Sequence, residues 1–155
     1  MRRQVTAFNP QDANFEARVR SSFARQTAMA TLGIEIAGLQ AGEVELRMPY
    51  ASEYTQQHGF IHAGIITTAL DSACGYAAFS LMPANAAVLT VEFKTNLIAP
   101  ARGEYFLFRA RVVKPGRTIT VCDAQAYAVD AEKEKLVATM TGTLMALFDR
   151  EGIAQ

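Results

Sequence analysis

The stretch Ala63–Leu81, AGIITTALDSACGYAAFSL, constrains this chain more than any other. Its residues are small or apolar on nearly every side of a helix, and a helix of that kind must be covered on most of its surface. Asp71 is the only formally charged side chain within it. A charge buried on an apolar helix is costly unless it is paired or used. The segment just before, Gln56–His62, holds both histidines of the chain and Gly59. Function is therefore expected where this loop meets the helix, and at Asp71.

The elements around the helix follow from pattern. Residues 1–11 read as an N-terminal arm, broken at Asn9-Pro10, and residues 12–155 as one domain. Phe15, Val19, Phe23 and Ala30 recur at helical spacing and predict one helix from Asp12 to about Thr31, with Asp12 as a candidate cap and Gly33 as its stop. Arg18, Arg20 and Arg25 form either a solvated face or a meeting point for an anion. Ile34–Leu39 and Glu43–Met48 read as strands joined by the turn Gln40-Ala41-Gly42. Tyr50–Phe60 reads as a loop, and past Pro83 four long strands are expected at Ala86–Leu97, Glu104–Val113, Thr118–Val129 and Leu136–Phe148. Tight turns make the consecutive strands antiparallel. The implied layout is α+β: one antiparallel sheet wrapped around one long central helix at about 63–81, with an extra N-terminal helix.

Composition removes several classes of function. The formal net charge is zero, whereas phosphate binding by a nucleic-acid partner calls for a basic face. No uncharged apolar run is long enough to span a bilayer, and MRRQVTAFNPQDANF lacks the apolar core of a signal peptide, so a cytoplasmic location is expected. Cys74 and Cys122 form no disulfide framework or metal spacing and read as reduced core thiols. A metal site is not expected, because His58 and His62 would need to share a helix and Gly59 lies between them. His58 reads as an ordinary loop residue.

The pattern Gln56-x-x-Gly59-x-x-His62-x-Gly64, followed by Leu70-Asp71, resembles the hotdog-fold acyl-CoA thioesterases, in particular the phenylacetate-degradation (PaaI-like) branch and the related 4-hydroxybenzoyl-CoA thioesterases. Thr90-Val91-Glu92-Phe93-Lys94 through Ala99-Pro100 resembles that family's strand after the helix, and Val113–Thr118 its next strand turn. The likeness spans residues 30 to 148. Two positions depart from the family pattern: Ala63 replaces the middle glycine of His-Gly-Gly, and Gln56 stands where the PaaI-like branch commonly has Asn. Alanine still donates its N–H if its φ is negative, and glutamine still offers an amide N–H.

The resemblance implies hydrolysis of a CoA thioester, with Gln56 holding the thioester carbonyl and Thr90 positioning water with Asp71. No cofactor is implied, since coenzyme A enters as part of the substrate. Chemistry supports the remaining roles independently. A helix N-terminus presents free N–H groups, which suits Ala63 and Gly64 as oxyanion donors, and Asp71 suits a base or nucleophile. His62 either fixes the loop or touches substrate. Lys114 and Arg117, with Arg102 behind them, are candidates for the CoA phosphates, and Tyr76, Phe79 or Phe93 for the acyl tunnel. Cys74 lacks a neighbouring histidine base in sequence and reads as core.

Eight residues separate Ala63 from Asp71, roughly 12 Å along a helix, whereas reacting groups must approach within roughly 3–3.5 Å. The donor end and the carboxylate of one site must then come from different subunits. This predicts a homodimer with two composite sites, open to further pairing as a dimer of dimers. Two other readings remain beside it: a hotdog enoyl-thioester hydratase or dehydratase, and a non-catalytic acyl-CoA-binding protein.

Overall fold

The computed structural model describes residues 7–153. The chain runs α1 (Phe15–Ala24), α2 (Thr27–Thr31), β1 (Glu35–Gln40), β2 (Glu43–Pro49), a short 3-10 turn at Ser52–Tyr54, α3 (Ala63–Phe79), β3 (Ala86–Leu97), β4 (Tyr105–Lys114), β5 (Ile119–Asp130) and β6 (Lys133–Phe148). All strands join one antiparallel sheet in the order β1-β2-β4-β5-β6-β3. The sheet lies across α3, which contacts every strand from β2 to β6. This is the α+β layout expected from the sequence.

Alternation explains how the sheet takes the helix. Val44, Leu46 and Met48 of β2 point inward opposite Ala110, Phe108 and Phe106 of β4. Further across, the inward row becomes small: Ala124, Ala126 and Ala128 on β5, and Ala138 on β6, all buried. Ala69, Ala73 and Ala77 of α3 are fully buried as well. Small residues on both surfaces let the helix lie close to the sheet, and Leu70, Ile66 and Phe79 fill the space to either side. Each fully buried large side chain contributes about 1.5–3 kcal/mol relative to exposure.

Both ends of α3 are tied. At the start, His62 is the N-cap and its Nδ1 accepts the Gly64 N–H at 2.9 Å. At the end, Arg18 reaches from α1 and donates to the carbonyls of Met82 (2.7 Å) and Phe79 (3.4 Å), with its guanidinium 4.2 Å above the Phe79 ring and Nε on Asp12 at 2.8 Å. Arg18 is therefore no part of a solvated face; it holds the turn that follows α3, binding the Met82 carbonyl just past the helix and sharing the Phe79 carbonyl with the Met82 N–H. Arg20 and Arg25 are exposed.

The N-terminal helix differs from the sequence reading in three ways. It breaks at Arg25-Gln26 into α1 and α2, because Gln26 takes an extended backbone (φ −82, ψ 93) that turns the chain so that Val19 and Met29 both reach the core. Met29 is buried and Ala30 exposed, the reverse of the expected face. The N-cap of α1 is Asn14; Asp12 instead accepts the Asn14 N–H and holds Arg18. Part of the expected arm, residues 1–6, lies outside the described residues. Within the rest, Phe8 lies against the core and Gln11 donates to the Leu81 carbonyl at 3.1 Å. The β1–β2 turn needs glycine: Gly42 has φ +80, and a Cβ there would stand 2.8 Å from the Phe8 ring.

The Arg18 clamp yields a measurable outcome. Replacing the guanidinium by an apolar chain of similar length, Arg18→Met, is expected to lower the unfolding free energy by about 2 kcal/mol, the scale of hydrogen bonds to a charged group. Urea denaturation reads this directly; an unchanged midpoint would show that the clamp does not hold α3.

Candidate active site

Asp71 sits in the middle of α3, half-buried at the border with β3, and its Oδ1 accepts the Thr90 hydroxyl at 2.7 Å. Thr90 lies on the β3 face that looks at the helix, since it pairs with buried Leu144 of β6. Burial raises the Asp71 pKa above its ordinary value of 3.8, and the Thr90 hydroxyl works against that rise. Among the described residues no cation pairs with Asp71. A carboxylate partly stripped of water, with one hydroxyl on it and none of its charge neutralised, is suited to taking a proton or attacking a carbonyl.

The other group of expected site residues lies at the start of α3. The loop before it is fixed by its own backbone. His62 N–H donates to the Tyr54 carbonyl at 2.8 Å, Ile61 N–H to the Ala101 carbonyl at 3.0 Å, and Tyr54 Oη to the Thr31 carbonyl at 2.8 Å. Gln56 Oε1 accepts the His58 N–H, which leaves Nε2 as the donor without a partner among the described residues. Gly64 N–H is committed to His62 Nδ1, so this histidine acts on the loop and helix start. Ala63 N–H has no partner among the described residues, and its φ is not positive. The N–H expected of alanine at this position is therefore free to donate.

Gln56 and Ala63 share a cleft of about 360 Å³ with Phe60, Ile66, Leu97 and Pro100, a lining without a charged side chain. Sequence reasoning did not name Phe60, Leu97 or Pro100 as lining; the apolar pair Leu97-Ile98 leaving a strand just before Pro100 was the available signal. Tyr76 and Phe79, expected near the acyl group, belong to the core beneath α1. Tyr76 Oη meets Ser22 Oγ at 3.2 Å, and Phe79 lies under Arg18. Phe93 is exposed on β3. Cys74 and Cys122 are buried free thiols; burial pushes both upward, Cys122 to about 12, so each stays protonated near neutrality.

The parts do not meet within one chain. Ala63 and Asp71 are separated by roughly 12 Å of helix. Lys114 and Arg117 are exposed, and Arg117 borders a depression with Pro83, Asn85 and Phe148, at the end of the sheet where β3 begins. Gln56 and Ala63 stand by Leu97, where β3 ends, about 36 Å away along an extended strand. A larger depression of about 740 Å³ lies on the outer face of the sheet, but both of its cations are already paired, Arg109 to Glu45 and Arg111 to Asp123.

Comparison with known proteins decides the family. Residues 58–135 match the family model described as Thioesterase superfamily. The chain belongs to the Thioesterase superfamily. A protein of Halobacterium salinarum, named by inference as an esterase, is 32% identical over 154 residues, covering 94% of this chain and 99% of the relative. Among solved structures, a thioesterase family protein from Silicibacter pomeroyi superposes with a TM-score of 0.86 at 64% identity, covering 86% of this chain and 98% of that one. The PaaI protein of the phenylacetic acid degradation operon of E. coli shares the fold, with a TM-score of 0.78 at 19% identity over 88% of this chain and 96% of its own. As a thioesterase, this protein is a thioester hydrolase with the hotdog fold that the resemblance implied. Among the described residues no helix is long and apolar enough to cross a membrane.

The electrostatics of Asp71 predict a pH response. Thr90→Val removes the one contact that favours the carboxylate, so the acid limb of kcat/KM is expected to move to higher pH. Stability follows the same sign. A raised acid contributes fully below its ordinary value of 3.8 and loses that contribution as pH rises through the folded-state value. Asp71→Asn is then expected to melt no lower than the parent at pH 7, with the difference shrinking toward pH 4. A lower melting temperature for Asp71→Asn at pH 7 would contradict this.

Proposed function

We propose that this protein is an acyl-CoA thioesterase acting as a two-fold dimer, each site built from Gln56 and Ala63 of one subunit and Asp71 and Thr90 of the other. The observation that carries the reading is the placement on one rigid helix of a free N–H at one end and an unpaired carboxylate two turns further on. Members of this family usually assemble as oligomers and act on small thioesters.

The exposed edge supports the assembly. Among the described residues strand β3 pairs only with β6, and its other side is open. Leu89, Val91, Phe93, Leu97 and Ile98, all exposed, make this edge apolar. A long apolar edge is a template for another strand. Antiparallel pairing of β3 with a second β3 runs the beginning of one strand beside the end of the other. That carries the donor end of one chain toward the carboxylate of its partner, and Lys114 and Arg117 toward the partner's cleft, where they meet the CoA phosphates.

In the reaction, the thioester carbonyl oxygen accepts from Ala63 N–H and Gln56 Nε2. If Asp71 is the base, it takes a proton from water held with Thr90 as the water oxygen bonds to the carbonyl carbon. If Asp71 is the nucleophile, its own oxygen forms that bond and water later releases the acid. In both routes the carbonyl π electrons move to oxygen, where the two donors hold the charge. Collapse then breaks the C–S bond and the thiolate leaves as CoA. One preorganised donor is worth about a hundredfold to a thousandfold in rate.

The test follows free thiol as wild type and Asp71→Asn are incubated with short, medium and aromatic acyl-CoAs. Wild type is expected to release thiol, and the variant to lose at least about a hundredfold in kcat. Equal rates would remove Asp71 from the mechanism. Tight binding without turnover across the panel would favour an acyl-CoA-binding protein instead, and water addition to an enoyl-CoA without thiol release would favour a hydratase.

A further inference from the structure

A glycine inside α3 has no structural reason to be glycine. Gly75 lies in the body of the helix, where only proline is less favoured. Its φ is not in the left-handed region. A Cβ placed on it would meet no described atom within 4 Å apart from its chain neighbours and the helix's own backbone. Other glycines of the chain are held by packing: a Cβ at Gly103 or Gly116 would come within 2.7 or 2.1 Å of a backbone oxygen. Gly75 stands half-exposed between buried Cys74 and buried Tyr76, under space that this chain leaves open.

The position of that space gives it a use. Gly75 follows Asp71 by four residues, so both lie on one face of α3, separated by about 6 Å of rise. Strand β3 runs back along the helix from its C-terminal end. Val88, two residues before Thr90 and on the same face, therefore stands level with Gly75 when Thr90 stands level with Asp71. On the other flank, Ser72 Oγ donates to Gln26 Oε1 at 3.0 Å, fastening the α1–α2 corner to the helix beside the carboxylate. Between these flanks the absent side chain of Gly75 leaves a gap one turn beyond Asp71, a trough the length of one residue.

We propose that Gly75 sets the acyl-length limit of this enzyme, the acyl chain lying over α3 one turn beyond Asp71. The inference rests on the thioesterase reading above and extends it to a specificity-determining residue. With CoA and the carbonyl oxygen held by the donor end of one subunit, the acyl group is directed past the carboxylate into the trough. A side chain at position 75 fills the room for its distal carbons and leaves the carbonyl untouched.

The experiment compares wild type, Gly75→Ala and Gly75→Leu on straight-chain acyl-CoAs from acetyl to decanoyl, with subunit mass followed by analytical ultracentrifugation. The ratio of kcat/KM for octanoyl-CoA to that for butyryl-CoA is expected to fall at least about tenfold in Gly75→Leu and less in Gly75→Ala, the scale on which a filled apolar pocket discriminates methylenes. The acetyl-to-butyryl ratio is expected to change less than the octanoyl-to-butyryl ratio. An unchanged length profile, or an equal loss at every length, overturns the assignment. So does dissociation of both variants into monomers, which would place a second subunit in the trough. If wild type cleaves none of the series, the thioesterase reading fails and takes this one with it; an active wild type with an unmoved profile rejects Gly75 alone.

Discussion

Packing of α3 against the sheet is the constraint on which the other features depend. The alanine rows of β5, β6 and α3 bring helix and sheet close, and that closeness removes water from one side of Asp71. The same packing leaves the carboxylate at the border with β3, where Thr90 supplies a hydroxyl and no cation among the described residues neutralises it. A helix held at one end by His62 and at the other by Arg18 cannot slide to relieve the charge. The energetic disadvantage of an uncompensated carboxylate is thus maintained by the core, and it raises the proton affinity of the group proposed as base or nucleophile.

Rigidity also bears on how many chains the proposed site needs. The Ala63 N–H and the Asp71 carboxylate ride on one helix, so no loop motion brings them together. The proposed antiparallel pairing at β3 would reconcile this separation with a single reacting carbonyl, and it would cover Leu89, Val91 and Phe93, which one chain leaves in water. A bulge at Val91 shifts the β3–β6 register between Thr90 and Glu92. The bulge leaves Thr90 facing α3 while Glu92 turns to the outer face opposite Thr143, whose hydroxyl it accepts. Such irregularities re-aim a side chain next to a functional site.

Much of this was legible in the residues because local chemistry and global fold agree. The alternation of β2, the turn glycine at 42, the apolar run of α3 and the lone Asp71 each point to one arrangement. Strand β3 was placed to the residue, whereas β6 begins three residues earlier than Leu136, since Lys133–Lys135 are polar yet continue the ladder with β5. Other features were hidden. The break between α1 and α2 falls among the six residues between Phe23 and Ala30, where the helical spacing that predicted one helix marks no position. The role of Arg18 depends on carbonyls sixty-one and sixty-four residues away, which no local pattern encodes. The division of labour at the helix start, with Gly64 held by His62 and Ala63 left free, required geometry. Tyr76 and Phe79 read as tunnel residues only because periodicity marks a face as apolar without saying what covers it.

The central claim is that one active site needs two chains, and mixed dimers test it most directly. Ala63→Pro removes the free N–H at the first helical position, where proline is well tolerated, and His62 (φ −59, ψ 137) already has the backbone that a following proline requires. Asp71→Asn disables the other half. Each variant alone is expected to be inactive in thioester hydrolysis. Refolded together in equal amounts with different tags, half of the dimers are mixed and hold one intact site of two, so about one quarter of wild-type activity is expected. Mixed dimers that form and show no recovery would contradict the composite site, as would full activity in a monomer.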